Sequence, residues 1–233
     1  NIPAQFRDSQ NHWLALTQRV RNVYSSKERS GDQSNIRYED LAKAEFKGRI
    51  CTRSGKHPYN LGLIASMIAH DGEAETEKWL AAVKGNLARK PQGNDRGQVK
   101  AIKEGLCDIS LGNSYYLGKM LQDPKQIEWA NAVNLNFPNQ QDRGSHINVS
   151  GAIMAKYAPN KDAAQKLIEF LTSQQAQSLY AELNMEYPVM PSAKVSDLVS
   201  SWGTFKADPL PLEEIAKFQK QALKLVDKVR FDL

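Results

Sequence analysis

From Leu14 onward, the run from His12 to Ser25 alternates imperfectly. Leu14, Leu16, the aliphatic part of Gln18, Val20 and positions 22 and 24 fall on one side of an extended chain, so the pattern predicts a long strand or strand pair. Residues 38–43 read as a short helix. Arg49-Ile50-Cys51-Thr52 reads as a short strand, closed by the turn Ser54-Gly55-Lys56-His57-Pro58. Asn60 is a candidate cap for a helix running to about His70, stopped at Asp71-Gly72, and Glu73 to Asn86 predicts a second helix.

Ala88-Arg89-Lys90 reads as short and extended, and Pro91-Gln92-Gly93-Asn94 as a loop, with a helix from Asp95 to about Glu104. Cys107 to Gly112 has the apolar character of a buried strand, and Asn113-Ser114 turns it into a helix carrying Tyr115, Tyr116, Met120 and Leu121. Further strands are expected over 132–137 and 147–154. Helices are expected over 161–171, 173–183 and 212–226. Strands alternating with helices predict an α/β sandwich with a largely parallel sheet.

In such sheets, ligands sit where strands end and helices begin. Three loops qualify: after Cys51, after Leu87 to Lys90, and after Leu111. They bring Tyr59, then Gln92, Asn94 and Asp95, then Tyr115 and Tyr116 toward one region.

The composition narrows the class. Of 233 residues, 41% are hydrophobic and 24% charged, which excludes a disordered chain, a collagen and a coiled-coil rod. The longest apolar run, Leu61 to Ala69, is too short to cross a membrane. Net charge is +5, but Lys and Arg are scattered among acids, so a nucleic-acid partner is not expected. The amino terminus has no initiator Met and no signal-like apolar stretch; it reads as a processed chain or as a fragment.

The candidate chemistry is phenolic. His12, His57, His70 and His146 show no zinc-type spacing, and no nucleophile elbow, phosphate loop or dinucleotide fingerprint is present, so no enzymatic step is expected. Phenolate is a hard anionic donor, but its pKa near 10 means that only a strong cation holds it ionised at neutral pH. Arg53, Arg19 and Lys119 are candidates to grip an anion or support a phenolate; each also reads as an ordinary surface ion pair. From pattern alone, the reading stops at a pocket with three phenols. Cys51 and Cys107 each adjoin a short apolar strand. Export would favour one disulfide between them, and two buried thiols are the alternative. Arg143-Gly144-Ser145-His146 reads as a hinge or as the wall of a cleft.

Several segments together resemble one family. They are Ala88-Arg89-Lys90-Pro91-Gln92-Gly93-Asn94-Asp95-Arg96, Cys107-Asp108-Ile109 with Asn113-Ser114-Tyr115-Tyr116, Arg143 to Gly151, Leu167 to Leu171, and Asn184 to Val189. In order and spacing they resemble the ferric-ion-binding proteins of bacterial ABC importers, and the resemblance runs from about Ile2 to Asp232.

That resemblance implies a type II periplasmic-binding-protein fold, with two lobes joined by hinge strands and the amino-terminal part of the first lobe absent. Residues 1–19 would be hinge and lobe-one remnant, 20–145 the second lobe, and 146–233 a return through the hinge into the carboxyl-terminal helices of the first lobe. It also implies capture of Fe3+ by Tyr59, Tyr115 and Tyr116, with Arg19 near the metal and Lys119 where relatives often carry Arg. Carbonate is a synergistic anion in some members. Delivery would be to an inner-membrane ABC permease, from a periplasmic or an exported, lipid-anchored protein. An anion, a polyamine or thiamine is the alternative ligand for the same fold. A further partner would be an amino-terminal segment of the same protein.

Overall fold

The computed structural model describes residues 2–233. In chain order its elements are strands β1 (Trp13–Ser26) and β2 (Ile50–Cys51), helices α1 (Pro58–Asp71), α2 (Glu73–Gly85) and α3 (Asp95–Lys103), and strand β3 (Ile109–Asn113). Helices α4 (Tyr115–Leu121) and α5 (Ile127–Asn131) precede strands β4 (Val133–Asn136) and β5 (Ile147–Ile153). Helices α6 (Lys161–Leu171) and α7 (Gln174–Asn184), strand β6 (Tyr187–Pro188), and helices α8 (Asp197–Ser200), α9 (Leu212–Lys217) and α10 (Gln219–Lys228) complete the chain.

The chain forms two compact units. One comprises the residues through Arg19 with Ile147–Thr204; the other comprises Val20–His146 with Phe205–Leu233. The chain therefore passes between them three times, at Arg19–Val20, His146–Ile147 and Thr204–Phe205. The reading of 146–233 as one return into the first lobe differs from this grouping. The reason is packing: Ala222, Leu225 and Val226 of α10 are buried in the same core as Leu63, Ile64 and Met67 of α1. The long helix expected over 212–226 is two helices, parted at Phe218.

In the larger unit, β1 lies between β3 and β4, antiparallel to both, with Val23 opposite Leu111 on one side and Asn136 on the other. Strand β2 joins the far edge of β3 in parallel, Cys51 opposite Ser110. The sheet order is β2-β3-β1-β4. In the smaller unit, β1 pairs with β5, and antiparallel with β6, Thr17 opposite Pro188. The expectation of a largely parallel sheet is thus corrected. The helical crossover from β2 to β3 gives the parallel pair, and the long β1 then inserts against β3 in the opposite direction. From Arg19 to Ser26 every residue of β1 is buried, including Arg21, Asn22, Ser25 and Ser26. A strand covered on both faces has no clean alternation, and its direction leaves no mark on the pattern.

Three local devices place the ends of these elements. Pro58 supplies the first residue of α1, where its fixed φ fits and its missing N–H is not needed. His57, not Asn60, is the cap: its Nδ1 accepts the Tyr59 N–H at 3.2 Å. Asn60 is instead turned inward and donates to the carbonyls of Arg53 and Ser54, each at 3.1 Å. Asn94 caps α3, its Oδ1 accepting the Gly97 N–H at 3.0 Å. The expected helix over 38–43 is a pair of 3-10 turns, Glu39–Ala42 and Ala44–Phe46.

A disulfide joins Cys51 to Cys107, as the reading for an exported chain expected. It fastens the end of β2 to the segment entering β3, across a sequence separation of 56. Among the described residues, no helix is long and apolar enough to cross a membrane.

Gly112 lets β3 pass under Tyr24. A Cβ there would lie 2.8 Å from Tyr24 Cδ2. Tyr24 is fully buried, and its hydroxyl donates to the Asn113 carbonyl at 2.8 Å, so the ring has nowhere to go. Gly112→Ala is expected to cost about 1–3 kcal/mol, the usual penalty for overpacking. A thermal melt of the metal-free chain checks this; an unchanged melting temperature would show that β3 yields freely.

His146, at the second passage between the units, is buried, and burial pushes its imidazole down to about 4 against the pull of Asp208. The sign follows directly. In the unfolded chain the ring protonates near pH 6.5, so stability is full above that and is lost as pH falls toward 4. The span corresponds to roughly 3 kcal/mol. The fall in melting temperature between pH 6.5 and 4 is expected to flatten in His146→Gln.

Candidate metal centre

The phenols come from two helix starts. Tyr59 is the second residue of α1, placed by the Pro58 start and the His57 cap. Tyr115 and Tyr116 open α4 immediately after β3, and their rings lie 4.1 Å apart between centroids, inclined by 30°. Tyr115 shares hydrogen bonds with both Tyr116 and Tyr59. The three hydroxyls therefore meet, although Tyr59 and Tyr115 are far apart in sequence. All three side chains are half-buried.

Burial raises the Tyr115 phenol above its ordinary value, and hydrogen bonding to Tyr116 and Tyr59 and the charge each would carry raise it further. Without a cation Tyr115 is therefore protonated at neutral pH. A cation that displaced the protons would find phenolate oxygens already gathered. Among the described residues, no group of three or more His, Cys, Asp or Glu side chains is arranged to hold a metal. The donor set here is the phenols, which are hard oxygen ligands.

Cations line the other side of the rings. The Arg53 guanidinium lies 5.3 Å from the Tyr59 ring centre and that of Arg21 5.9 Å. Arg96 lies 5.6 Å from the Tyr116 ring. His57 meets Tyr59 edge-on, with centroids 4.6 Å apart. Burial, with the neighbouring charge of Arg53, holds the His57 imidazole below its usual value.

Of the residues singled out from sequence, the structure brings together Tyr59, Tyr115, Tyr116 and Arg53. Lys119 follows Tyr115 by one turn on α4, half-buried. Arg19 lies in the smaller unit, where its Nη1 donates to Ser150 Oγ at 2.5 Å and stands 3.9 Å from Glu186. His146 is hydrogen-bonded through its backbone N–H to the Tyr38 hydroxyl at 3.1 Å. The sequence pattern passed over Arg21, marked Asn60 only as a helix cap, and carried Arg96 only as the end of a family-like segment. Arg21 falls on the side of β1 opposite the apolar positions, so the pattern carries no signal of its burial; once buried, its charge demands a partner.

A profile of bacterial extracellular solute-binding proteins matches residues 1–207. The chain belongs to that family. It is 39% identical to iron uptake protein A1 of Synechocystis sp. (strain ATCC 27184 / PCC 6803 / Kazusa) over 230 residues, covering 98% of this chain and 64% of that protein. It thus spans about two thirds of that relative's length. Among solved structures, apo ferric ion-binding protein A of Pasteurella haemolytica superimposes with a TM-score of 0.96 at 56% identity, over 100% of this chain and 74% of the other. The Trichodesmium protein IdiA (FutA), solved in complex with iron and citrate, gives 0.95 at 38% identity, over 99% and 73%. The fold is accordingly of the type II periplasmic-binding-protein kind, as the sequence resemblance implied.

Proposed function

We propose that this chain captures ferric iron through the phenolates of Tyr59, Tyr115 and Tyr116 and delivers it to an ABC permease of the inner membrane. The observation that carries the reading is the meeting of three phenol hydroxyls at two helix starts. The ferric-ion and iron-uptake relatives support the choice of cargo.

Capture is a ligand exchange. Fe3+ replaces the phenolic protons, and the hard oxygen set favours it over softer ions. No substrate bond is made or broken. Arg53 and Arg96 supply positive charge beside the rings, opposite in sign to the charge that iron-bound phenolates carry. The same guanidiniums suit a small carboxylate or carbonate on the iron, and the citrate in the Trichodesmium complex supports such an anion. Lys119 and Arg19 are the further candidates for that role. Release follows reduction, protonation or opening by the permease.

The disulfide between Cys51 and Cys107 fits an oxidising compartment, the periplasm or the outer face of an anchored protein. The remaining partner in this reading is an amino-terminal segment of the same protein. Its support lies in the smaller unit, where Leu167 and Phe170 of α6 and Leu179 and Leu183 of α7 are each more than half exposed. Helix α6 buries no residue at all. Ordinary monomers rarely leave such faces bare.

The arginines favour one second reading, a binding protein for an anion alone. Titration with ferric citrate separates the two: iron on phenolate gives a visible charge-transfer band, and an anion alone gives none.

A further inference from the structure

One carboxylate is tied to both helix starts that carry the phenols, directly at Asn113 before α4 and through Arg21 at α1. Asp95, the first residue of α3, is fully buried. Its Oδ2 accepts from Arg21 Nη1 at 2.7 Å and from the Asn113 backbone N–H at 2.9 Å. Its Oδ1 accepts from Arg53 Nη1 at 3.3 Å. Asn113 ends β3, two residues before Tyr115. The second arm of Arg21 donates from Nη2 to Asn60 Oδ1 at 2.6 Å, and Asn60 is the neighbour of Tyr59 in the first turn of α1. Arg21 and Arg53 are also the two cations beside the Tyr59 ring.

We propose that Asp95 is the positioning residue of the phenol cluster, tying α1 and the turn from β3 to α4 to one point and so setting Tyr59 against Tyr115 and Tyr116. The proposal rests on the reading of those phenols as iron ligands. Its physical basis is charge. Arg21 and Arg53 are like charges held side by side, stable there only because a carboxylate lies between them. Without it they repel, leave the Tyr59 ring and release Asn60, while the Asn113 N–H loses its acceptor. A small cation gains most from donors that already stand at the right spacing, so a shift at this support is felt at the metal.

The test compares the wild type with Asp95→Asn and Arg53→Lys, each loaded from ferric citrate. Melting temperature without iron, apparent Kd in competition with citrate, and the position of the visible band are read for each. Asp95→Asn is expected to weaken binding about 10- to 100-fold, as loss of groups that orient metal ligands does, and to move the band. Arg53→Lys keeps the charge opposite Asp95 and loses the flat face beside Tyr59. It is expected to move the band while the melting temperature holds within a few degrees. An ion pair that serves folding alone would lower the melting temperature and leave Kd and band at wild-type values in the folded chains; that result overturns the proposal. Should Asp95→Asn not fold, Arg53→Lys decides, and a wild-type band and Kd there overturn it equally. A wild type that gives no band, alone or with the proposed amino-terminal segment added, overturns the phenolate reading, and the positioning role falls with it.

Discussion

The Tyr115→Phe/Tyr116→Phe double variant is expected to stay colourless when titrated with ferric citrate, while the wild type develops a one-to-one charge-transfer band. Removing both hydroxyls leaves Tyr59 as the single phenol of the cluster. Loss of one group that merely orients a ligand costs 10- to 100-fold in affinity, so loss of two ligands is expected to cost at least about a thousandfold. The fold should survive. Both rings are half-buried and keep their volume as Phe, and the hydrogen bonds from Tyr115 to Tyr116 and Tyr59 are worth about 1 kcal/mol each. A melting temperature within a few degrees of the wild type therefore has to accompany the lost colour. A band of wild-type intensity in the double variant would end the phenolate reading. A wild type that colours only when the proposed amino-terminal segment is added would place part of the donor set on that segment.

The phenols were legible in the sequence because topology is coarse and loops are local. A short strand ending at Cys51 and an apolar strand ending near Leu111 are readable from composition alone, and the rule that strand ends gather ligands then brings Tyr59 toward Tyr115 and Tyr116. Asp95 was visible as a resident of the loop after Leu87 to Lys90, the second of the three, but its role was not. That role depends on Arg21, which falls on the side of β1 opposite the apolar positions, where the alternation leads one to expect an exposed charge and not a buried one. The parallel sheet failed for a related reason. Strand β1 is covered on both faces over most of its length, and nothing in such a run tells which way its neighbours point. The placement of α9 and α10 was lost because an amphipathic face says only that something apolar covers it. That Leu63 and Met67 of α1 do so is a long-range fact. Asn60 shows the limit at the smallest scale. It has the right chemistry for a cap, but Pro58 had already started the helix, and the amide was free to turn inward to Arg21 and the carbonyls of Arg53 and Ser54.

Iron loading is expected to release protons and to weaken steeply in acid. Tyr115 is held above its ordinary pKa by burial and by the other two phenols, so without metal it carries its proton at pH 7. Each phenol that becomes a ligand must give one up, and each released proton makes affinity fall about tenfold per pH unit. With Tyr59, Tyr115 and Tyr116 all engaged, about three protons leave per iron, and the apparent association constant drops by up to about a thousandfold for each unit of acidification. A pH-stat titration with a weakly held ferric chelate, corrected for the chelator's own protons, measures the number directly. The anion reading makes the opposite demand, because a ligand gripped by Arg53 and Arg96 takes no proton from the phenols. Release near zero would therefore leave the arginines as the binding groups and the tyrosines as their wall. Release of two would mean that one phenol stays protonated on a ligand oxygen or stands aside. Tyr59, which comes from a different helix than the Tyr115–Tyr116 pair, is then the one expected to be missing, and Tyr59→Phe should leave the proton count unchanged.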